Sequence, residues 1–430
     1  MDEDDDVVVD IEDLANADEW IVLESKGENS SHPAKAKSST ANDLLDASTS
    51  IRFRTSILEW YDANRRDLPW RGADPYGVWV SEIMCQQTKV DTVIPYYNRW
   101  MAEFPTVEAL AKATIDDVNR VWAGLGYYRR AKFLHEGAVR AWETYKGQLP
   151  GTKKELMTIK GIGDYTSSAI SSISFNQRDA AVDGNVIRVF SRLRAVPLEA
   201  KDKLLQKRAV TFAQDLIKHC DRPGDFNQSM MELGAMVCTP KKPKCSECPV
   251  RFACKAVGET NATPESISET YPARPSADKA PLPEKHVYVA VVTRHGDDAV
   301  LATRRPNDGG LLANQWELVC VERDHAQAIS VTDIKEKLTA LGTCKDCLGS
   351  AHPPKSETTF KHVFSHLKHH VTPFRYHLSS SSSSSCTRSV CVTQRASDDA
   401  LKWIPVKDLK RAGLTRSMTK ALEICGLILK

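Results

Sequence analysis

The chain has 430 residues, of which 41% are hydrophobic and 27% are charged. This length and composition exclude a wholly disordered chain and a small disulfide-dependent module, and they predict two or three domains that each bury a core. No run approaches the roughly 18 consecutive apolar residues of a membrane-spanning helix. The first six residues are acidic where a targeting signal would be basic, so we expect a soluble, intracellular protein without membrane contact.

The formal net charge of +2 hides an uneven distribution. Residues 1–50 contain 14 Asp and Glu against three Lys, a local charge of −11, so the remaining 380 residues carry +13. A basic body of this kind is compatible with a polyanionic partner such as nucleic acid. Because residues 1–50 are polar apart from one apolar patch at 20–23, we expect a disordered acidic arm that is either a solvated tail or a docking segment.

The middle of the chain predicts an all-helical domain at 51–254. Apolar residues recur there with the period of an α-helix, for example at Leu110, Val118, Val121 and Trp122. Five prolines then mark residues 255–285 as an interdomain linker. This linker contains no cysteine, so we predict no second metal site in it.

Residues 286–430 predict a mixed α/β domain. Strand patterns occupy 286–292, 299–302 and a stretch near 360–378, and helical patterns occupy 332–341 and 416–429. Seven serines from Ser379 to Ser385 form a low-complexity run whose composition indicates no particular function.

Four of the twelve cysteines are clustered with the spacing C-x6-C-x2-C-x5-C, namely Cys238, Cys245, Cys248 and Cys254. Four thiolates this close in sequence can surround one metal centre, and the first gap is wider than the about two to four residues usual for zinc. The spacing favours an iron–sulfur cluster of the 4Fe–4S type, with zinc and unligated thiols as the alternatives. The first gap also presents three lysines to phosphate groups, namely Lys241, Lys242 and Lys244.

A helix–turn–helix pattern surrounds the segment Gly161-Ile162-Gly163. Glycines in a turn that opens a helix expose backbone N–H groups at the helix N-terminus, where phosphate binds readily. Since two glycines alone are weak evidence, a simple turn between two helices is the alternative interpretation.

Two carboxylates stand beside apolar runs. Glu82 lies within the apolar segment 78–84, so burial would raise its pKa and keep it protonated, whereas Asp183 stands between an apolar run and a predicted helix. A protonated Glu and an ionised Asp form the pair that cleavage of a glycosidic bond requires. The sequence alone does not show that these two side chains meet.

Further short motifs occur in a fixed order along the chain. They are LPWR at 68–71, VSEIMCQQT at 80–88, GLGYY at 124–128, GIG at 161–163, VDGNV at 182–186 and FNQSMMELG at 226–234. Together with the cysteine spacing, these motifs resemble those of MutY-type adenine DNA glycosylases, and the resemblance covers about residues 51–430.

The resemblance implies a multidomain enzyme. Its parts would be an all-α helix-hairpin-helix glycosylase domain with a 4Fe–4S cluster loop at 238–254, followed by an α/β Nudix-like lesion-recognition domain at 286–430. It implies removal of adenine mispaired with 8-oxoguanine or guanine in double-stranded DNA, after the nucleotide is flipped out of the duplex.

The resemblance also implies roles for individual residues. Glu82 would protonate the adenine ring, and Asp183 would stabilise the positive charge that develops on the sugar, with support from Tyr165 and Asn185. The adenine pocket would be lined by Trp70, Arg71 and Glu232. The residues in contact with DNA would be Gln87, Thr88, Tyr127, Gly161, Gly163, Lys241, Lys242 and Lys244.

The segments 310–318 and 359–366 resemble the second domain of the same enzymes. The resemblance implies that Phe364, Ser365 and His366 recognise 8-oxoguanine; without it, a turn with a buried serine would be the simpler interpretation. A Nudix hydrolase needs clustered metal-binding glutamates, and the segment 322–327 lacks them. We therefore expect this domain to bind rather than to hydrolyse nucleotides.

Two other functions compete with this hypothesis. An endonuclease III-like bifunctional glycosylase for oxidised pyrimidines would share the helical domain and the cysteines, but such enzymes place a lysine nucleophile where this chain has Tyr165. A non-catalytic lesion-binding or nucleotide-binding module is disfavoured by the presence of Glu82 and Asp183. We expect a monofunctional, monomeric enzyme in the nucleus, with the mitochondrion as an additional compartment and with repair or replication proteins as partners of the acidic arm.

Three residues depart from the pattern that is usual in this family, namely Lys160, Asp164 and Cys85. Asp164 places a negative charge beside the expected phosphate site, although a negative charge suits a helix N-terminus. Cys85 changes the packing expected beside Glu82.

Overall fold

In a computed structural model of the chain, the described residues are 43–259, 261–274, 281–294, 298–305, 315–324, 331–341, 359–363, 367–378, 401–412 and 414–428. They divide into two compact units. The first unit contains the described residues up to Lys112 and from Phe133 to Arg274. The second contains Ala113–Lys132 and the described residues from 281 onward.

The chain is helical from Ala47 to Thr270, which confirms the predicted all-helical domain. The helices are α1 (Ala47–Asn64), α2 (Pro75–Cys85), α3 (Val90–Glu103), α4 (Val107–Lys112), α5 (Ile115–Trp122), α6 (Arg129–Tyr145), α7 (Lys153–Leu156), α8 (Asp164–Phe175), α9 (Gly184–Arg194), α10 (Lys203–Ile217), α11 (Pro223–Met236) and α12 (Pro264–Thr270). Short 3-10 turns occupy Cys245–Glu247, Arg251–Ala253 and Ala256–Gly258.

A core of buried side chains joins α1, α9, α10 and α11. Phe53 packs edge-on against Phe212 with ring centroids 6.3 Å apart, in a cluster that also buries Phe226. Helix α11 lies unusually close to the first turn of α9, because a Cβ atom on Gly234 would come within 2.6 Å of the Cβ of Asn185. Only glycine fits at this crossing.

The folded region begins earlier than the predicted end of the acidic arm at residue 50. Asp43 is buried, and its two carboxylate oxygens accept hydrogen bonds of 2.6 Å from Arg208 of α10. Asp46 caps α1 by accepting from the backbone N–H of Thr49 at 2.9 Å. The rest of the predicted arm, residues 1–42, lies outside the described residues.

The structure also differs from the predicted linker, because the first half of 255–285 folds onto the helical unit. Thr263 caps α12, and Ala256, Ile267 and Tyr271 form a small buried cluster. The proline content does not reveal this helix, since Pro264 stands in its first turn, where proline is well tolerated.

The second unit is built on a mixed sheet. Its described strands are β1 (Glu284–Arg294), β2 (Ala299–Arg304), β3 (Trp316–Arg323), β4 (Phe360–Val363), β5 (Lys368–Leu378) and β6 (Leu401–Pro405), with helices α13 (Val331–Ala340) and α14 (Arg416–Ile424). The strands pair in the order β4-β5-β1-β3-β2-β6. β1 runs parallel to β5, and the other neighbours in this order are antiparallel.

Both faces of this sheet are covered by a helix. Val289 and Val291 of β1 face a cluster that includes Leu422 of α14, whereas Val292 faces a second cluster with Leu338 of α13. A strand buried on both faces is apolar at nearly every position, as residues 287–292 of β1 are. The predicted mixed α/β domain is confirmed, whereas the serine run 379–385 lies outside the described residues.

Within the described part of the chain, no helix combines the length and the apolar character that crossing a bilayer would require.

Candidate active site

Glu82 lies near the C-terminal end of α2, a helix that is buried along most of its length. Asp74 caps this helix by accepting from the backbone N–H of Gly77 at 2.8 Å, and Pro75 occupies its first turn. The residues on either side of Glu82 are buried, whereas Glu82 itself keeps partial exposure. The helix therefore presents a single carboxyl group from an otherwise apolar wall.

Tyr165 contacts Glu82 directly. It lies in the first turn of α8, and its hydroxyl donates a hydrogen bond of 2.7 Å to Oε2 of Glu82. The same hydroxyl lies 3.4 Å from Sδ of Met231 on α11. Three helices thus meet at this phenol, which orients the Glu82 carboxyl group.

Asp183 is the N-cap residue of α9. Its Oδ1 accepts a hydrogen bond of 2.8 Å from the backbone N–H of Val186, and its Oδ2 accepts one of 2.7 Å from the side-chain amide of Asn185. Both bonds, and the positive end of the helix dipole, favour the ionised carboxylate. The structure thus brings Asn185 into direct contact with Asp183.

The two carboxyl groups have different electrostatic surroundings. The pKa of Glu82 is raised to about 7, mainly by burial; the hydrogen bond from Tyr165 opposes this rise, and the Asp183 carboxylate adds to it. Burial also raises the pKa of Asp183, although the capping hydrogen bonds act in the opposite direction. A pKa near 7 keeps a large fraction of Glu82 protonated at neutral pH, which suits a general acid. The raised pKa of Glu82 agrees with the expectation from its apolar sequence context.

Glu232 lies in a different environment, at only 2% exposure. Arg66 donates to Oε1 from its backbone N–H and its Nε, both at 2.9 Å, and to Oε2 from Nη2 at 3.0 Å. Arg71 donates from Nη2 to Oε2 at 3.1 Å, and its Nη1 donates to Gln228. Burial alone would raise the pKa of Glu232, but hydrogen bonds and charge from Arg66, and then the charge of Arg71, hold it below its ordinary value. We call Glu232 with these two arginines the ion cage.

Arg66 and Gln228 were not predicted from the sequence as site residues. Gln228 is recognisable in retrospect, since it stands four residues before Glu232 and therefore on the same face of α11. Trp70, the third expected pocket residue, is nearly buried and packs edge-on against Tyr97 with ring centroids 5.2 Å apart.

The turn at 161–163 has the geometry of a helix hairpin. Gly161 has a φ of +83°, and a Cβ there would lie 2.9 Å from the Cβ of Phe133, so no other residue fits without strain. Gly163 is the N-cap of α8 and has open space around it. The negative charge of Asp164 is paired with Lys153, with Nζ 2.6 Å from Oδ1. The unusual Lys160 is paired with Glu136 at 2.8 Å.

Three further DNA-contact candidates lie in two different units. Gln87 follows α2 directly, with a φ of 51°, and the N–H of Thr88 donates to the carbonyl of Cys85 at 3.3 Å. Both therefore stand at the end of the helix that carries Glu82. Tyr127 has a φ of 47°, is 39% exposed, and belongs to the second unit.

The four clustered cysteines line one pocket together with apolar side chains such as Leu193 and Val250. Among the described residues, no three His, Cys, Asp or Glu are arranged to hold a single metal ion. Burial raises the pKa of Cys248 to about 12. Lys241, Lys242 and Lys244 are exposed on the loop between the first two cysteines, which the N–H of Lys244 closes by donating to the carbonyl of Val237 at 2.8 Å.

Two arginines of α9 connect this loop to the rest of the unit; Arg192 is buried and Arg188 is half-buried. Arg188 donates from Nη2 to Oδ1 of Asn185 at 2.8 Å and from Nε to the carbonyl of Cys238 at 3.0 Å. Arg192 donates from Nη1 to Sγ of Cys238 at 3.3 Å and to the carbonyl of Thr239 at 2.7 Å. Neither residue was predicted from the sequence, although their four-residue spacing on one helix face is visible in it.

The three residues expected to recognise 8-oxoguanine, Phe364, Ser365 and His366, lie outside the described residues. The described part of their segment ends at Val363, which is 59% exposed at the end of β4.

Family models match three parts of the chain. Residues 80–214 match the HhH-GPD superfamily of base excision DNA repair proteins, residues 238–254 match the iron–sulfur binding domain of endonuclease III, and residues 288–423 match the NUDIX domain. The matched ranges correspond to the helical part, the cysteine loop and the sheet of the second unit.

Curated relatives match across these parts. A rat adenine DNA glycosylase is 34% identical over 89% of this chain and 79% of its own length, and a human one is 36% identical over 76% of this chain and 68% of its own length. An adenine DNA glycosylase of Arabidopsis thaliana is 40% identical over 76% of this chain, which spans 58% of that relative's length. The helical unit with its cysteine loop, the NUDIX-type sheet and these relatives together show the family. The chain belongs to the MutY-type adenine DNA glycosylases.

Proposed function

We propose that this protein is a monofunctional DNA glycosylase that removes adenine opposite 8-oxoguanine, or opposite guanine, in double-stranded DNA. The observation that carries the proposal is the pair of carboxyl groups in the first unit. Glu82 has a pKa raised to about 7 beside Asp183, whose hydrogen bonds favour the ionised form. The names of the relatives support adenine as the base.

The mechanism follows from the states of the two carboxyl groups. With the target nucleotide flipped out of the duplex, Glu82 donates its proton to the adenine ring, and the electron pair of the glycosidic bond leaves with neutral adenine. The sugar becomes a cation, which the Asp183 carboxylate stabilises. Water then adds to the sugar and returns a proton to Glu82, so the product is an abasic site.

The supporting residues keep both groups in place. Tyr165 holds the Glu82 carboxyl group through the 2.7 Å hydrogen bond, and Asn185 holds Asp183 through its side-chain amide. In base-excision enzymes that also cleave the strand, a lysine forms a covalent intermediate with the sugar; here a tyrosine occupies the matching position, so we expect little strand cleavage.

A comparison of matched duplexes tests this function. Single-turnover reactions with adenine opposite 8-oxoguanine, guanine or thymine should release adenine from the first two and not from the third. Absence of release from protein with a full complement of iron would contradict the proposal. Trapping with borohydride separates the endonuclease III-like alternative, because a lysine intermediate gives a covalent protein–DNA product and Tyr165 does not.

We infer that the four cysteines bind a 4Fe–4S cluster. The support is an all-cysteine donor set lining one pocket, the match to an iron–sulfur binding domain, and the guanidinium of Arg192 placed beside Sγ of Cys238. When bound, the cluster would join Cys238 and Cys245 through their thiolates and so fix the loop between them. The exposed lysines of that loop would then contact DNA phosphate groups.

Analysis of the purified protein tests the cluster. We expect about four iron and four sulfide per chain and a brown colour. Stoichiometric zinc in a colourless protein would contradict the inference. Replacement of Cys248 by serine should lower the iron content per chain.

The remaining expectations are also proposals. We propose that Phe364, Ser365 and His366 recognise 8-oxoguanine. Replacing Ser365 by alanine should therefore slow adenine release opposite 8-oxoguanine more than adenine release opposite guanine.

We also propose that the protein is a monomer in the nucleus, with a mitochondrial fraction. Cell fractionation tests these two compartments. Because Asp43 is part of the folded unit, removal of residues 1–42 is the suitable test of the acidic arm; unchanged duplex affinity would leave it as a tether.

A further inference from the structure

A segment from the middle of the helical sequence packs with the sheet of the second unit. Residues 113–132 separate Lys112 from Phe133 in the chain, but their contacts group them with the residues from 279 onward. The segment contains α5 and the loop that presents Tyr127. The second unit therefore includes one of the residues proposed to contact DNA.

One acidic side chain joins α5 to the sheet. Arg304 donates from Nη2 to Oδ1 of Asp116 at 2.9 Å, and Trp316 lies with Nε1 3.4 Å from Oδ2 of the same carboxylate. Arg304 and Trp316 are direct cross-strand partners of β2 and β3, and the guanidinium lies 5.4 Å from the centre of the indole ring. Because two neighbouring strands hold both carboxylate oxygens, they restrict the rotation of Asp116 and of the helix turn that carries it.

The helix that carries Asp116 is stabilised at its start and tied to the loop at its end. At the start, Thr114 and Asp117 form a reciprocal capping box. At the end, the indole N–H of Trp122 donates to the carbonyl of Gly126 at 2.8 Å. The chain of contacts is therefore continuous from the sheet to the residue before Tyr127.

The loop itself is held by a buried arginine. Arg130 is 4% exposed, and its Nη2 donates to the carbonyl of Gly126 at 3.2 Å. Its guanidinium lies 5.2 Å from the ring of Trp122 and 5.4 Å from that of Tyr127. These contacts fix the loop backbone while the ring of Tyr127 remains 39% exposed.

We propose that Arg304 and Asp116 are positioning residues that let the second unit set the position of the Tyr127 ring during insertion into the base stack. This proposal rests on the proposed function, because it assumes that Tyr127 inserts into DNA beside the mispair. The ion pair is partly exposed, with Arg304 at 17% and Asp116 at 42%, so its loss is expected to misplace the loop rather than to unfold the unit.

The first test compares two neighbouring arginines. Arg304→Met removes the contact to Asp116, whereas Arg305→Met removes the matched ion pair to Glu317, whose atoms lie 2.9 Å apart within the same unit. We expect Arg304→Met to slow single-turnover release of adenine about tenfold, because misplacement of a positioning element has effects of this size or larger. Arg305→Met should stay within about twofold of the unmodified chain. Equal effects of the two variants would overturn the proposal.

The second test asks whether Arg304 acts through Tyr127. The variants Arg304→Met, Tyr127→Ala and their combination form a cycle, read both by adenine release and by the fluorescence of 2-aminopurine placed at the target position. If Arg304 positions Tyr127, the combined variant is no slower than Tyr127→Ala alone, and it unstacks 2-aminopurine equally well. Independent, multiplying losses would overturn the proposal even if Arg304→Met is slow.

The proposed glycosylase function and the positioning role of Arg304 can fail separately. An unmodified chain that releases no adenine would contradict the proposed function, whereas the 2-aminopurine signal still reports base unstacking without bond cleavage. A chain that releases adenine normally but shows no coupling between Arg304 and Tyr127 would contradict only the positioning role. Asp116→Asn, which keeps the side-chain shape, should reproduce the Arg304→Met defect; normal behaviour of that variant in both readouts would also count against the proposal.

Discussion

Glu82 and Glu232 belong to the same helical unit, where Glu82 is half-buried and Glu232 is buried, and the pKa values of their carboxyl groups are shifted in opposite directions. Glu82 accepts a hydrogen bond from the phenol of Tyr165 and has a pKa raised to about 7. Glu232 lies in the ion cage between Arg66 and Arg71, and its pKa is lowered. Burial opposes ionisation at both sites, so the cations around Glu232 account for the difference.

Arg71 connects the two sites. Its guanidinium is bound to Glu232 and Gln228, and its charge changes the pKa of Glu82 less than burial, Tyr165 or Asp183 does. By holding Arg71, the ion cage keeps a cation away from direct contact with the proposed acid. Residue type alone therefore does not decide which glutamate is an acid catalyst and which one organises the pocket.

The largest effect is expected from removing the proton of Glu82. Glu82→Gln keeps the shape and an oxygen that accepts from Tyr165, but it has no acidic proton. Single-turnover adenine release should fall by roughly 10² to 10⁴, while duplex affinity, measured by fluorescence anisotropy, changes little. Glu108→Gln, at an exposed ion pair with Lys112, is the matched control and should behave as the unmodified chain. Comparable activity of the two variants would exclude Glu82 as the acid.

Asp183→Asn separates the charge of Asp183 from its capping role. Asparagine is also a good N-cap, so the melting temperature should change by only a few degrees. Loss of the negative charge beside the sugar cation should nevertheless slow adenine release by about 10² to 10³. Normal activity of this variant would show that Asp183 acts only as a cap.

Glu232→Gln breaks the ion cage and leaves two arginines without their carboxylate. We expect a loss of about 2 kcal/mol in the free energy of unfolding at pH 7, below the full cost of a broken buried pair because Arg66 is 33% exposed. Since the folded-state pKa of Glu232 is lowered, its contribution is present above the ordinary Glu pKa of 4.5 and is lost as the pH falls below it. The difference between the two chains, measured by urea unfolding, should therefore shrink toward pH 3; a difference that grows on acidification would contradict the ion cage.

Tyr165→Phe should have the smallest effect on rate and a diagnostic effect on pH dependence. The unmodified chain needs protonated Glu82, so adenine release should decline as the pH rises through about 7. The hydrogen bond from Tyr165 lowers that pKa, so its removal should move the decline to higher pH, with a rate at pH 7 within about tenfold. A shift to lower pH would mean that the phenol stabilises the protonated form of Glu82 instead.

Much of the architecture was predictable because it depends on local patterns. Helical periodicity predicted the helical part and the helices α13 and α14, and strand patterns predicted β1, β2 and β5. The boundaries were less predictable. Residues 43–50 and 256–270 are polar or proline-containing. Asp43 nevertheless accepts a hydrogen bond from Arg208, and Ile267 is buried in one cluster with Tyr271, which no local sequence pattern reveals.

The main residues of the candidate site were predictable from the sequence, whereas the contacts between distant residues were not. Short motifs located Glu82, Asp183 and Tyr165, since each motif is contiguous in sequence. The ion cage joins residues 166 positions apart, and the contact from Arg304 to Asp116 spans 188 positions. Such pairs contribute no local periodicity, so sequence patterns give no sign of them.

The classes of structure and the available chemical groups follow from the sequence, because propensity, periodicity and ligand spacing are properties of neighbouring residues. The protonation state and the position of each group depend on the tertiary fold. The fold brings the Tyr165 hydroxyl into contact with Glu82, arginine guanidinium groups into contact with Glu232, and Arg304 of the sheet into contact with Asp116. The physical reason is that a pKa and a side-chain position depend on desolvation and on charges within a few ångströms, and in this protein those neighbours come from distant parts of the chain.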